Sequence, residues 1–198
     1  MTMMTKKTGA LVALCAATLL SGCLSLGPDA PDMLFTLTPE RVAAPGTGAS
    51  GEMSSALAVL PPSTTQKLNV TRVPVQTSDA TLAYLEEAYW VDKPTALFQR
   101  LLAETIRAGG NRLVVDGGDA EYAARTQLSG QLVDMGYDAV TGSAVVTFDA
   151  MLSQSDGTIR TQRFSASESG VVAEAEFVGP ALNRAANRVA AEIADWVG

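Results

Sequence analysis

From Tyr122 onward the chain repeats every second residue, and that period restricts the fold more than any other feature. Tyr122, Ala124, Thr126, Leu128, Gly130 and Leu132 fall on one side, and Arg125, Gln127, Ser129 and Gln131 on the other. Ala144, Val146, Phe148, Ala150 and Leu152 repeat the pattern, and Asp156-Gly157 leads into a further stretch from Thr158 to Ser167. A period of two is the geometry of a strand with one buried face. Three such strands in a row, one pair joined by an Asp-Gly turn, predict an antiparallel meander with one wet face. The apolar side of that meander needs a cover.

Two stretches with helical spacing can supply it. Pro94 suits a first helical turn, and Leu97, Phe98, Leu101, Leu102, Thr105 and Ile106 then form one stripe, opposite Gln99, Arg100, Glu104 and Arg107, before Gly109-Gly110 stops the helix. After Gly179-Pro180, Leu182, Ala186, Val189, Ile193 and Trp196 recur at steps of four and three, with Arg184, Asn187, Arg188, Glu192 and Asp195 on the far side. The economical arrangement is α+β: a mostly antiparallel sheet with a three-strand C-terminal meander, covered on one face by two amphipathic helices. Shorter strands are expected at 33–38, 56–60, 81–91 and 113–115. The stretch 68–76 holds Pro74 and is expected at an edge of the sheet, where it would be free to take up a partner's strand.

The N-terminus has a different organisation. Lys6 and Lys7 precede a compact apolar run from Gly9 to Leu20, too short to cross a bilayer and laid out as a secretory signal. Leu20-Ser21-Gly22-Cys23 at its foot resembles the bacterial lipobox. That resemblance implies cleavage before Cys23, with diacylglycerol on its sulfur and an N-acyl chain such as palmitate on its amine. Two or more chains make attachment effectively permanent. Residues 1–22 then read as a lipoprotein signal peptide, 23–32 as the acylated cysteine and its tether, and 33–198 as the folded domain. Leu24 follows the cysteine where an Asp would imply retention in the inner membrane, so the expected location is the periplasmic face of the outer membrane.

Processing also fixes what the domain can use. Cys15 and Cys23 are the two cysteines, so the mature chain would have no thiol or disulfide and would rely on an ordinary core. Loss of Lys6 and Lys7 leaves 12 basic residues against 21 acidic ones, a net charge of −9. Nothing in that balance favours nucleic acid as a partner.

The residues carry little catalytic chemistry. There is no histidine, which removes the Ser-His-Asp and Cys-His arrangements and the usual zinc ligands. The positions three before Lys67 and Lys93 are Thr64 and Trp90, so the S-x-x-K spacing is absent. The acidic turn 116–121, DGGDAE, lacks the alternating ligands of a calcium loop, and the glycine-rich stretches lack a P-loop lysine. No catalytic residue, metal or diffusible cofactor is expected. Tyr84, Tyr89 and Trp90 gather just before the first helix. They fit a core cap or an exposed lip for a partner or lipid, and the sequence leaves both open.

The lipobox, MLFTLTP at 33–39, ALAVLPP, LNVTRVPVQ, YLEEAYWVDKP running into LFQRLLAETI, and the final RAANRVAAEIADWV together resemble the ABC-type transport auxiliary lipoprotein family. The family's usual opening carries tyrosines where this chain has Leu34-Phe35. The resemblance implies an outer-membrane lipoprotein working with an inner-membrane ABC permease, its ATPase and a periplasmic MCE-domain protein to move phospholipid or other hydrophobic compounds. A homo-oligomer is open on the same grounds. The rival reading is a structural envelope lipoprotein that scaffolds another machine or binds cell-wall polymer.

Overall fold

The computed structural model describes residues 33–110, 112–118 and 123–198. In chain order the elements are β1 (Leu34–Phe35), β2 (Leu57–Val59), β3 (Ser63–Thr64), β4 (Arg72–Ser78), β5 (Thr81–Trp90), α1 (Pro94–Ala108), β6 (Val114–Val115), β7 (Thr126–Asp138), β8 (Ser143–Ser153), β9 (Ile159–Ser169) and α2 (Ala175–Val197). Single 3-10 turns at Met53–Ser55 and Gln66–Leu68 punctuate the N-terminal half.

Strand β7 organises the sheet because both of its edges are occupied. Along one edge it pairs antiparallel with β8 over nearly its whole length, and β8 pairs antiparallel with β9. The other edge is shared by β2, β3 and β4, each parallel to β7 over two or three residues. The sheet is therefore mixed: its long ladders are the antiparallel β4–β5, β7–β8 and β8–β9 pairs, while short parallel ladders join the N-terminal strands to it. The α+β architecture and the C-terminal meander are those the alternation predicts.

One irregularity reverses the alternation. Up to Leu132 the even-numbered residues of β7 face the core, but the register slips between Leu132 and Asp134. Beyond that bulge the odd-numbered Met135 and Tyr137 are buried instead, opposite Val146 and Ala144. One extra residue in one strand does this, because the side-chain period is two.

Both helices cover the same face. Phe98 of α1 packs on Phe148 of β8 with ring centroids 5.1 Å apart, and Trp196 of α2 meets Phe164 of β9 edge-on at 5.6 Å. Helix α1 ends where the glycine pair predicts, with Gly109 still right-handed and Gly110 taking the left-handed turn at φ 71°. Helix α2 begins at Ala175, one turn before the expected start, and takes Pro180 into its interior. Pro180 sits near the N-terminal end, exposed, while the flanking Val178 and Ala181 are fully buried. Packing of that turn offsets the lost backbone donor.

Two sequence expectations are corrected here. Strand β4 lies between β5 and β7 rather than at an edge. Pro74 is tolerated there because the β4–β5 register breaks beside it and the β4–β7 ladder starts only at Val75. Asn187, expected on the wet side of the last helix, is buried. It accepts the Glu40 N–H at 2.8 Å and donates to Thr38 O and Asn183 O, each at 2.9 Å. Those bonds hold the segment after β1 along α2.

Candidate functional site

The lipobox residues Leu20, Ser21 and Gly22, and the lipidation candidate Cys23, lie outside the described residues. The other candidates divide between the two faces of the sheet. Trp90 is a core residue with 2% of its surface exposed, edge-on to Phe35 at 5.6 Å, so it does not belong to an exposed lip. Its Nε1–H is buried without a partner among the described residues, a local cost of the kind apolar packing must outweigh. Tyr89, paired with Leu34 and Arg72, is half-buried and by alternation lies on the opposite face from Trp90. Tyr84 is also half-buried. Its ring stacks under the Arg72 guanidinium at 4.8 Å, and its hydroxyl donates to Lys67 O at 3.4 Å.

What separates Tyr84 from Tyr89 is a bulge that the sequence does not announce. Pro74 pairs with Tyr84 and Arg72 with Tyr89, so β5 carries extra residues between them. Glu87, in that insertion, has a left-handed backbone at φ 53°, uncommon for a residue with a side chain. Glu86 and Glu87 are both exposed, as a solvated carboxylate pair should be.

The face turned away from the helices holds a shallow groove of about 800 Å³. Its floor is the outer side of β7, β8 and β9, and Leu60 and Pro61 form one wall. Met151 stands in it with 39% of its surface exposed, beside Asp149 and Arg163. Arg163 grips Asp149 with Nε and Nη2, both at 2.6 Å, and this pairing holds the Asp149 carboxyl below its ordinary range. Lys67 lies 3.2 Å from Asp134 on the same side of the sheet. Ser63 donates to Gly130 O at 3.2 Å.

Charges on the helix side are paired too. Arg184 donates to Glu168 at 3.0 Å, and Arg188 bonds the same carboxylate. The bond from Arg184 and then that from Arg188 hold Glu168 below its usual value. Arg107 bridges Glu104 at 2.7 Å and Asp116 at 2.6 Å. The backbone N–H of Ala43, ahead of Arg107, keeps Glu104 low. Among the described residues no cluster of three acidic, cysteine or histidine side chains could hold a metal ion, and no helix is long and apolar enough to cross a membrane. Paired carboxylates with lowered pKa values are poor proton donors and acceptors near neutral pH. The groove itself escaped sequence reasoning, since it depends on the β2–β3 connection lying beside β7, a contact between segments far apart in the chain.

The fold recurs in solved structures. A protein from Xanthomonas campestris, XCC0632, of the DUF330 family, superposes with a TM-score of 0.69 at 18% identity, covering 83% of this chain and 94% of that one. An uncharacterised protein superposes with a TM-score of 0.63 at 13% identity, covering 84% of this chain and all of that one. At such identities the likeness is one of fold. No functionally curated protein matches the chain. The family model for the ABC-type transport auxiliary lipoprotein component matches residues 35–194, from the second residue of β1 almost to the end of α2. The chain therefore belongs to the ABC-type transport auxiliary lipoprotein family, an auxiliary component of ABC-type transport.

Proposed function

We propose that this protein is a non-catalytic docking subunit of an ABC/MCE-type intermembrane system that moves phospholipid or other hydrophobic compounds. In this reading it is held by acyl chains on Cys23 at the periplasmic face of the outer membrane, and it receives a periplasmic MCE-domain protein whose inner-membrane permease and ATPase supply the energy. The observation that carries the reading is Leu20-Ser21-Gly22-Cys23 heading a chain of the auxiliary lipoprotein family. Two features support it. Cys23 precedes the first strand by about ten residues, a tether that reaches about 33 Å when extended. The domain it would carry presents a bare, mixed-polarity sheet face on which Arg163 pairs with Asp149 and Lys67 with Asp134.

Mass spectrometry of the mature N-terminus extracted from membranes tests the anchor. Acyl chains on Cys23 are expected; an unmodified thiol there defeats it. Cys23→Ser should release the protein from the membrane fraction. Co-purification of an MCE-domain protein with the full chain tests the docking role. A deletion strain with normal envelope lipid distribution and unchanged solvent sensitivity would defeat the transport role even if the anchor is present.

A further inference from the structure

Apolar side chains stand exposed at the sheet edge where the described fold begins. Met33 is 51% and Leu34 49% exposed, and Val91, just past the end of β5, is 55% exposed. The β1–β5 ladder brings them together. Leu34 pairs with Tyr89, and the Val91 N–H donates to Phe35 O at 2.8 Å. Phe35 and Trp90 are buried, so alternation turns Leu34 and half-buried Tyr89 outward, with Val91 exposed beside them. β1 is a terminal strand of the sheet. The charges around this edge balance. Arg72, in register with Tyr89, together with Lys93 and Arg100 matches Glu86, Glu87 and Asp92 one for one, and Arg100 bonds Asp92. The edge is therefore near neutral on a strongly acidic domain. An anionic leaflet would repel an acidic surface but not this one.

We propose that this edge rests on the lipid surface itself, with Met33, Leu34 and Val91 dipped into the headgroup region, so that the domain stands on the membrane by β1. The inference rests on acylation of Cys23. The argument for lipid as the occupant is where the chain outside the fold ends: residues 23–32 join the anchor directly to Met33, so the exposed side chains nearest to the acyl chains along the sequence are apolar. Ten residues reach about 33 Å when extended, so the tether alone does not dictate which side of the domain meets the bilayer. It does confine the domain near lipid, where a weak apolar contact acts at high effective concentration. Three half-exposed side chains would not hold a free protein on a bilayer, but they suffice to orient one already tied there. Ile159 provides the contrast. It is 62% exposed, yet it lies at the opposite edge of the sheet, across β5, β4, β7 and β8 from β1. Those five strand spacings amount to about 24 Å.

The full mature chain, acylated and reconstituted in vesicles of phosphatidylethanolamine and phosphatidylglycerol, has no free thiol, so a single introduced cysteine can carry a fluorescent label. Labels on Leu34→Cys and on Val91→Cys should shift their emission to the blue and be quenched by nitroxide-bearing lipid. The same label on Ile159→Cys should stay wet and unquenched. Adding Val91→Asp to Leu34→Cys should lower the quenching by about twofold or more, with no loss of helix and sheet signal, because a carboxylate resists leaving water. Labels at positions 34 and 91 as wet as the one at 159 overturn the proposal, and so does equal quenching at all three. A blue-shifted label at position 34 that nitroxide lipid does not quench means that protein covers the edge, which overturns it too. Quenching that survives Val91→Asp does the same, since the tether alone would then place the edge. An unmodified Cys23 thiol in native material defeats the anchor and this inference together, whereas wet labels on acylated protein defeat this inference alone.

Discussion

The two faces of the β7–β8–β9 meander are made from the same three strands and behave as different materials. On the inner face Leu128, Leu132, Met135, Val146, Phe148 and Leu152 are each at most 1% exposed and lie under both helices. On the outer face Thr147 bonds Ser165 at 2.8 Å, Arg163 grips Asp149, and Met151 stands exposed, all open to water. The inner face has one packing solution. The outer face is held by cross-strand pairs each worth a few tenths of a kcal/mol to about 1 kcal/mol, so its chemistry can vary without unfolding the protein. Stability is thereby concentrated on the inner side of the sheet, and the outer side is left free to change.

The largest expected effect comes from the inner face. Phe148→Ala removes a ring packed between Phe98 and the Phe164 strand position and should destabilise by about 3–5 kcal/mol in urea denaturation. A loss below about 1 kcal/mol would mean that the helices do not depend on this layer, and the contrast between the faces would fail. Next is Gly130→Ala. A methyl group there would lie 2.2 Å from Asp149 O and 2.6 Å from the Phe148 ring, so backbone as well as side chain must move. Destabilisation of about 1–3 kcal/mol is expected, and more if the strands separate. A neutral outcome would show that the Asp149 carbonyl and the Phe148 ring both give way without cost.

How far this contrast can be read in the sequence differs along the chain. The meander and α1 are legible because long elements repeat their signal: five apolar residues alternate through β8, and the helical stripe from Leu97 to Ile106 spans three turns. The N-terminal half is legible only as a set of short strands. β2 and β3 are three and two residues long, and their parallel pairing with β7 is a contact between distant segments that no local pattern encodes. Pro74 signals an edge by a sound rule, yet a register break beside it lets β4 sit inside the sheet. The bulge at Val133 is invisible in advance, since one skipped residue leaves composition unchanged while it moves Met135 and Tyr137 into the core. Of the candidate site, the aromatic group before α1 is apparent as a cluster, but its division into buried Trp90 and half-buried Tyr84 and Tyr89 follows from the β5 insertion.

At the seam between the faces, Glu168 offers a graded test. It lies on the helix side of β9 with 19% of its side chain exposed and bonds both Arg184 and Arg188. Its pKa is lowered in the folded state, so its contribution is fully present above the ordinary glutamate value of 4.5 and fades as pH falls below it, when the carboxyl takes up a proton. Glu168→Gln should cost about 1 kcal/mol at pH 7. It should also flatten the fall in melting temperature between pH 4.5 and more acidic buffers. An unchanged acid slope would assign that slope to other carboxylates, with Asp149 and Glu104 next in line.

The smallest stability effect should coincide with the largest effect on partners. Met151→Gln keeps the shape of the side chain and removes apolar surface from the middle of the outer groove. Because Met151 is already 39% exposed, the change should shift folding stability by less than about 0.5 kcal/mol. If the outer face is where a partner rests, the same substitution should weaken co-purification of that partner, since a central apolar anchor contributes more to binding than the polar rim around it. Phe148, directly before Asp149 in the same strand, gives the opposite pairing of effects: a large loss of stability, with partner binding falling only as the folded fraction falls. Measuring both variants for melting temperature and for partner retention separates the two faces. If Met151→Gln leaves retention intact, the partner does not rest on the middle of the outer groove, and the contrast between the faces is one of stability alone.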